Sequence, residues 1–369
     1  MLQEEYNYWL ANIHNVGIKK IELLLQYFGS AEAVFRASKE ILLKFLYENE
    51  TNRCFLMNDI ENICIGRDEV KIHDSYAKLA KNGIYFVSKE EEHYPDKLRN
   101  IYESPFALYV KGRIPHDDEK LLAVVGAREC SPYGKEMAKH FAAELVREEI
   151  SIVSGLARGI DSYAHVGALS TGGITYGILG CGIDICYPKE NIGLYMDMQK
   201  EGGIISEYAP GIPPLRGNFP MRNRIISGLC DGILVIEAKE KSGSLITVDM
   251  GLEQGKDVYS LPGRVWDCLS GGCNNLIKMG AKLVTDPKDI LEDLIPNYNP
   301  ASDNNKKNNK ILETNGKIVY ARLSLQPIHI EEIALQTGLS MDLLMEQLVF
   351  LELRGLITQT AKNYYIVKI

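Results

Sequence analysis

The sequence contains no C-x-x-C pair. Its closest cysteine pairs, Cys181 with Cys186 and Cys268 with Cys273, have no histidine beside them. That argues against a zinc site and a disulfide framework, so the eight thiols are expected to be reduced and no metal is expected. No apolar run approaches the roughly 18–20 residues that span a bilayer. The opening MLQEEYNYWL lacks the basic-then-apolar pattern of a secretion signal. The expectation is a cytoplasmic protein without membrane insertion. Positive charge is also short: 41 Lys and Arg stand against 49 Asp and Glu, a net charge of −8. This argues against a protein that coats DNA with its whole surface, because phosphate binding needs clustered cations. A local basic groove is still allowed. Two fingerprints are missing: G-x-G-x-x-G after a first strand, and G-x-x-x-x-G-K-[ST], whose absence argues against P-loop ATP hydrolysis. No nucleophile–base pair stands out, and neither a catalytic residue nor a cofactor is expected.

What is present falls into four stretches, and 369 residues suggest two or three domains. Residues 1–82 read as a small helical domain, SAM-like or helix-hairpin-helix-like, with Ile21, Leu24, Leu25 and Phe28 at helical spacing. Residues 83–295 read as an α/β domain. Candidate strands lie at 121–125, 151–154, 174–179, 203–206, 232–236, 257–261 and 281–284, with helices between most of them. Nearly all-apolar strands such as GILVIEA indicate a sheet covered on both faces, hence a doubly wound parallel sheet. Upstream, 83–88 and 106–110 are two further short strands in a connector. Residues 296–309 are a polar, Asn-rich linker. Residues 310–369 read as three helices and a hairpin, a winged-helix pattern. Its third helix carries Asp342, Glu346 and Glu352, which repel phosphate, so protein contact or support is favoured over DNA reading.

The densest chemistry lies at 121–165. Leu121 to Val125 ends at Gly126; Ser131-Pro132 reads as an N-cap followed by proline in the first helical position. Ser151 to Ser154 ends at Gly155, and Asp161 reads as a cap for the next helix. Two strand–glycine–helix units place two helix N-termini at one sheet edge, a setting that favours phosphate. Arg128 can add a bidentate contact there. Gly155 and Gly159 allow close approach of a ligand beside Ser154, Ala157 and Arg158. Lys189 follows the third strand. In GNFPMRNRIISG, Phe219 can stack on a base or staple the helix. Arg222 and Arg224 bracket Asn223 but do not share a helix face, so one can point to a ligand while the other pairs with a carboxylate such as Glu237. Ser242, Gly243 and Ser244 form a third helix start, and His165 reads as structural. Several phosphate sites without a catalytic constellation favour binding of a polyanion over turnover.

The series VGARECSPYG, SGLARGIDSYAH, GCGIDICYP, FPMRNRIISG, SGSLIT, LPG and GCNNLI, in this order, resembles the bacterial DNA-processing protein A family, also called DprA or Smf. The resemblance is close over about 94–284. It implies an extended Rossmann-like domain that binds single-stranded DNA without sequence preference, delivers the recombinase RecA onto that strand during natural transformation, and forms a homodimer. It places Arg128 and Lys189 on the DNA backbone. The SGLARGID loop, Phe219, Arg222, Asn223 and Arg224 then belong to the family's pocket. Ala127 stands where a serine is common. The competing expectation is a Rossmann-type nucleotide hydrolase resembling the phosphoribohydrolases, with Arg222 and Glu237 in the active parts, although their PGGxGTxxE signature is only approached by SGSLITVDMGLE.

Overall fold

Three strands of the central sheet stop on glycine, at Val125–Gly126, Ser154–Gly155 and Leu179–Gly180, and these stops set where its loops gather. The structure, a computed structural model, describes residues 1–48, 54–296, 298, 314–324 and 327–367. The chain forms two compact units, Met1–Pro296 and Asn297–Ile369. The expected linker 296–309 lies outside the described residues except at 296 and 298.

The first unit opens on α1 (Gln3–Ala11), α2 (Ile18–Phe28), α3 (Ala31–Arg36), α4 (Lys39–Glu48), α5 (Met57–Ile65) and α6 (Glu69–Lys81). Gly29, in the left-handed conformation, ends α2, and Ser30 caps α3 by accepting from Ala33 N–H. These helices share one hydrophobic cluster with the sheet: Tyr6, Trp9 and Leu10 pack in the same core as Phe86, Tyr109 and Ile204. Tyr109 also donates its hydroxyl to Asn12 Oδ1 at 2.9 Å. The helical segment is therefore seated on the α/β core.

The strands are β1 (Tyr85–Ser88), β2 (Ala107–Gly112), β3 (Leu121–Val125), β4 (Ser151–Ser154), β5 (Thr175–Leu179), β6 (Gly203–Ser206), β7 (Gly232–Val235), β8 (Asp257–Ser260) and β9 (Lys282–Leu283). Their order is β1-β2-β6-β5-β4-β3-β7-β8-β9. From β6 to β9 every pairing is parallel, the doubly wound sheet expected from the sequence. The two upstream strands add to it: β1 pairs antiparallel with β2, and β2 runs antiparallel to β6. Helices α7 (Asp96–Arg99), α8 (Pro132–Arg147), α9 (Ile160–Ser170), α10 (Ile192–Glu201), α11 (Asn218–Leu229), α12 (Ser244–Glu253), α13 (Gly271–Lys278) and α14 (Lys288–Leu294) fill the connections and the end of the unit. From β3 the chain winds outward to β6. It then returns to β7 beside β3 and winds the other way. Adjacent loops after β3 and β7 thus diverge, and the crevice between them is where this topology holds ligands.

His165 of α9 is fully buried. Its Nδ1 lies 2.6 Å from Thr175 Oγ1, whose own proton goes to the Ile152 carbonyl at 2.9 Å. Nδ1–H therefore donates, and Nε2 has no partner among the described residues. Burial holds its pKa down at about 3, against an ordinary 6.5. The unfolded chain takes up this proton below pH 6.5 and the folded one does not, so stability is lost as the pH falls from 6.5 towards 3, at on the order of 1 kcal/mol per pH unit. A His165→Leu protein is expected to show a flatter acid limb in urea unfolding between these limits. Parallel limbs for the two proteins would contradict it.

The second unit consists, among its described residues, of α15 (Thr314–Tyr320), β10 (Ile328–His329), α16 (Ile330–Thr337), α17 (Met341–Leu353), β11 (Ile357–Ala361) and β12 (Tyr364–Val367). The small sheet has the order β10-β12-β11. Val319, Ile333, Leu344, Leu348 and Ile357 form its core. This is the winged-helix arrangement of three helices and a hairpin. Ser340 stands at the N-cap of α17 without a side-chain hydrogen bond. Asp342, Glu346 and Glu352 are exposed on that helix, and Arg354 at its end lies 4.5 Å over the Phe350 ring.

Candidate nucleic-acid interface

The loops after β3, β4, β5 and β7 and the start of α11 converge on one cleft of about 760 Å³ at the carboxyl edge of the sheet. Arg128, Arg216, Arg222, Lys239 and Lys241 line it, against Glu129 and Asp161. Five cations to two carboxylates, in a chain of net charge −8, make this a local positive site.

Loop geometry at the edge is fixed by close backbone contact. Gly159 has φ +76°, and a Cβ there would overlap the carbonyl oxygens of Ala127 and Arg128. Ile160 N–H donates to Ala127 O at 3.1 Å, so the second loop is tied to the first. A Cβ at Gly126 would come within 2.8 Å of Glu237 O. Arg128, in the first loop, is exposed, and its guanidinium lies 5.8 Å from the Phe219 ring centre. Phe219 in turn lies 5.6 Å from Tyr187, so the cleft has an aromatic wall with a cation over it.

The two helix starts read from the sequence are not alike. The Ser131 and Pro132 reading holds: Ser131 Oγ accepts from Gly134 N–H at 3.0 Å, with proline at the first position of α8. But Glu237 also occupies that end, accepting from Ser131 N–H at 2.8 Å and from its hydroxyl at 2.5 Å. A carboxylate already sits where a phosphate was expected. Asp161, in contrast, does not cap α9; Gly159 holds the N-cap position. Its carboxylate accepts from Gly155 N–H at 3.1 Å and Ala157 N–H at 3.4 Å, which clamps the loop. Gly217 and Gly243 hold the N-caps of α11 and α12 and carry no capping side chain. Ser242 and Ser244, with hydroxyls 2.8 Å apart, and Gly243 line the cleft.

The arginines of α11 are both buried: Arg222 lines the cleft, and Arg224 is the one that pairs with a carboxylate. Arg222 Nη1 donates to Gly155 O at 2.8 Å and to Ile178 O, binding the ends of β4 and β5 to α11. Burial lowers its pKa to about 10, partly offset by Asp161. Burial raises the Asp161 pKa, and Arg222 and the two N–H donors oppose it. Arg224 pairs with Glu207, not Glu237, at 2.6 Å. Asn223 lines the cleft, and its Oδ1 accepts from Arg222 Nε at 3.3 Å.

Ser154 is another correction. It is fully buried, and its hydroxyl donates to Val124 O at 2.6 Å, so it braces β4 against β3. Gly126 and Ala157 line the cleft, and Gly155 lies behind it, against Arg222 and Asp161. Arg158 is exposed and paired with Glu190 at 2.5 Å, and Lys189 is exposed just before that acid; both stand outside the cleft lining. Tyr187, Arg216, Lys239 and Lys241 were missed in the sequence reading. The two lysines bracket Glu240 directly before SGSLIT, and that position after a strand was the available signal.

The family model described as DNA recombination-mediator protein A matches residues 85–295, and the one described as the DprA winged helix domain matches 308–362. The DNA processing protein DprA of Streptococcus pneumoniae is 41% identical over 261 residues, 69% of this chain and 92% of that protein. That of Bacillus subtilis is 38% identical over 245 residues, 62% of this chain and 82% of that protein. The crystal structure of the Streptococcus pneumoniae protein superposes with a TM-score of 0.67 and 34% identity, covering 80% of this chain and 98% of that one. DNA processing protein A from Helicobacter pylori, whose structure was described for its single-stranded DNA binding mode, gives a TM-score of 0.53 and 28% identity over 58% of this chain and 97% of that one. By both its α/β core and its winged helix, the chain belongs to the DNA recombination-mediator protein A (DprA/Smf) family.

Proposed function

We propose that the chain is a sequence-independent single-stranded DNA-binding protein that loads the recombinase RecA onto incoming DNA during natural transformation, acting in the cytoplasm as a homodimer. The observation that carries the binding step is the cationic cleft with its aromatic wall. Phosphates meet Arg128, Arg216, Lys239 and Lys241, while bases meet Phe219 and Tyr187. None of these groups reads a base edge by a fixed donor pattern, which suits a strand of any sequence. The neighbour from Helicobacter pylori supports the same ligand. Lys189 and Arg158 extend the positive edge on the β5 side, with Gly126, Ala157 and the Ser242–Ser244 helix start offering backbone approach.

Tight, salt-sensitive binding of labelled oligothymidine, and little binding of duplex, is the expected result. Equal affinity for duplex would overturn it. Loading is tested by whether RecA filaments form faster on protein-bound than on bare oligomers. In the domain division proposed, 83–295 carries the strand, 1–82 is a helical module packed on it, and 310–369 contacts protein. A protein ending at Pro296 is therefore expected to bind oligothymidine within about threefold of the full chain. Loss of binding on this truncation would move the site to the winged helix.

The hydrolase reading is weaker on this geometry. Arg222 is engaged by backbone carbonyls and Asp161, and Glu237 by the start of α8. Free base released from nucleoside monophosphates at enzymatic rates would restore it.

A further inference from the structure

A second cleft, of about 650 Å³, opens at the same sheet edge. Tyr133, Glu237, Pro262, Arg264 and Ser270 are among its lining residues. The two clefts share a wall. Ala238 N–H donates to Leu269 O at 2.8 Å across it; Lys239 and Leu269 line the cationic side, and Glu237 and Ser270 the other. Beside it stands the loop after β8. Asp267 N–H donates to Arg264 O at 3.1 Å, a turn with Val265 and Trp266 at its tip. The turn is braced on both sides. Asn274 exchanges two hydrogen bonds with the Gly263 backbone, at 3.1 and 3.0 Å, and Asp267 accepts from Leu269 N–H at 2.9 Å. Yet Trp266 is 98% exposed and Val265 83%. Tyr133, on the cleft wall, is 54% exposed.

An indole held out in water on a braced turn leaves its large apolar face uncovered. Its immediate neighbours are Val265 and Asp267, with Arg264 one residue further, so the apolar patch at the tip is small. One tryptophan supplies at most about 250 Å², far below the roughly 800 Å² per partner of a stable protein interface. An aromatic face with a nearby arginine is instead the combination that holds single strands. Glu237 and Asp267 make the interior poor for phosphate, so the cleft suits a base, with the linking phosphate at the Arg264 rim.

We propose that a single strand held in the cationic cleft crosses the shared wall and stacks bases on Trp266 and Tyr133, with Arg264 on the intervening phosphate. This rests on the single-stranded DNA reading above. The chain has two tryptophans, and Trp9 is only 4% exposed within the helical module, so emission changes at the sheet edge report Trp266. Labelled oligothymidines of about four and about sixteen nucleotides, the range of single-strand site sizes, are titrated into the full chain while anisotropy and tryptophan emission are recorded. Both oligomers are expected to raise anisotropy, and only the longer to quench emission. Trp266→Ala is expected to weaken the longer oligomer about fivefold or more and to bind the shorter like the wild type. Anisotropy without quenching, together with equal affinity of the variant, overturns the second subsite while leaving the first intact. An emission shift that follows protein concentration without DNA overturns it in favour of contact between two copies. No anisotropy change with either oligomer overturns the underlying reading itself.

Discussion

Replacing Arg222 with alanine is expected to destabilise the first unit by about 2–5 kcal/mol, because two buried backbone carbonyls lose their donor and the nearby buried Asp161 loses a favourable charge. Arg222 is 4% exposed, and Asp161 7%. Without the guanidinium, the Asp161 carboxylate keeps two backbone N–H donors and the more distant charge of Arg128, and its already raised pKa rises further. The Gly155 and Ile178 carbonyls lose their donor in a site closed to water. Asp161→Asn in the Arg222→Ala background is expected to recover part of the loss, because it removes the stranded charge; wild type, the two single variants and the double variant are then compared. Urea unfolding of the four proteins forms a double-mutant cycle. A cost below about 0.5 kcal/mol for Arg222→Ala would mean that its bonds to the two carbonyls are dispensable.

That role was only half legible in the sequence. The i, i+2 spacing of Arg222 and Arg224 fixes that they leave α11 on different faces. It cannot say what each face meets. Glu207, Gly155 and Ile178 arrive from other strands, 17, 67 and 44 residues away. Glu237 is the same case: its partner Ser131 is 106 residues distant, so a carboxylate closing the start of α8 could not be read locally. The parallel strands were legible because each is a short apolar run that stops abruptly, a local signal. The antiparallel edge was not, since 83–88 and 106–110 carry no mark of which strand they join. Ser154 shows the limit most simply. A serine beside a ligand-type glycine loop looks like a contact, yet alternation along β4 turns its hydroxyl to Val124.

Arg128→Ala is expected to leave stability unchanged and to weaken oligothymidine binding about tenfold or more near 0.1 M salt. The two parts have separate causes. Arg128 is exposed on the first loop, so its removal strands no buried partner. Its guanidinium over Phe219, 5.8 Å from the ring centre, is placed before any strand arrives. Loss of the side chain therefore removes a phosphate contact and also unsettles the stacking face. The phosphate part has its own signature: for single strands each neutralised phosphate contributes about 0.7 to the slope of log affinity against log salt. Arg128→Ala is expected to flatten that slope by about this amount, and Lys239→Ala to flatten it again. Phe219→Ala should lower affinity with the slope intact, because stacking releases no counterions. Arg222→Ala, acting through loop position, should follow its loss of stability instead. A slope for Arg128→Ala equal to that of the wild type would remove this residue from the phosphate path and leave Lys239, Lys241 and Arg216 as the backbone contacts of the cleft.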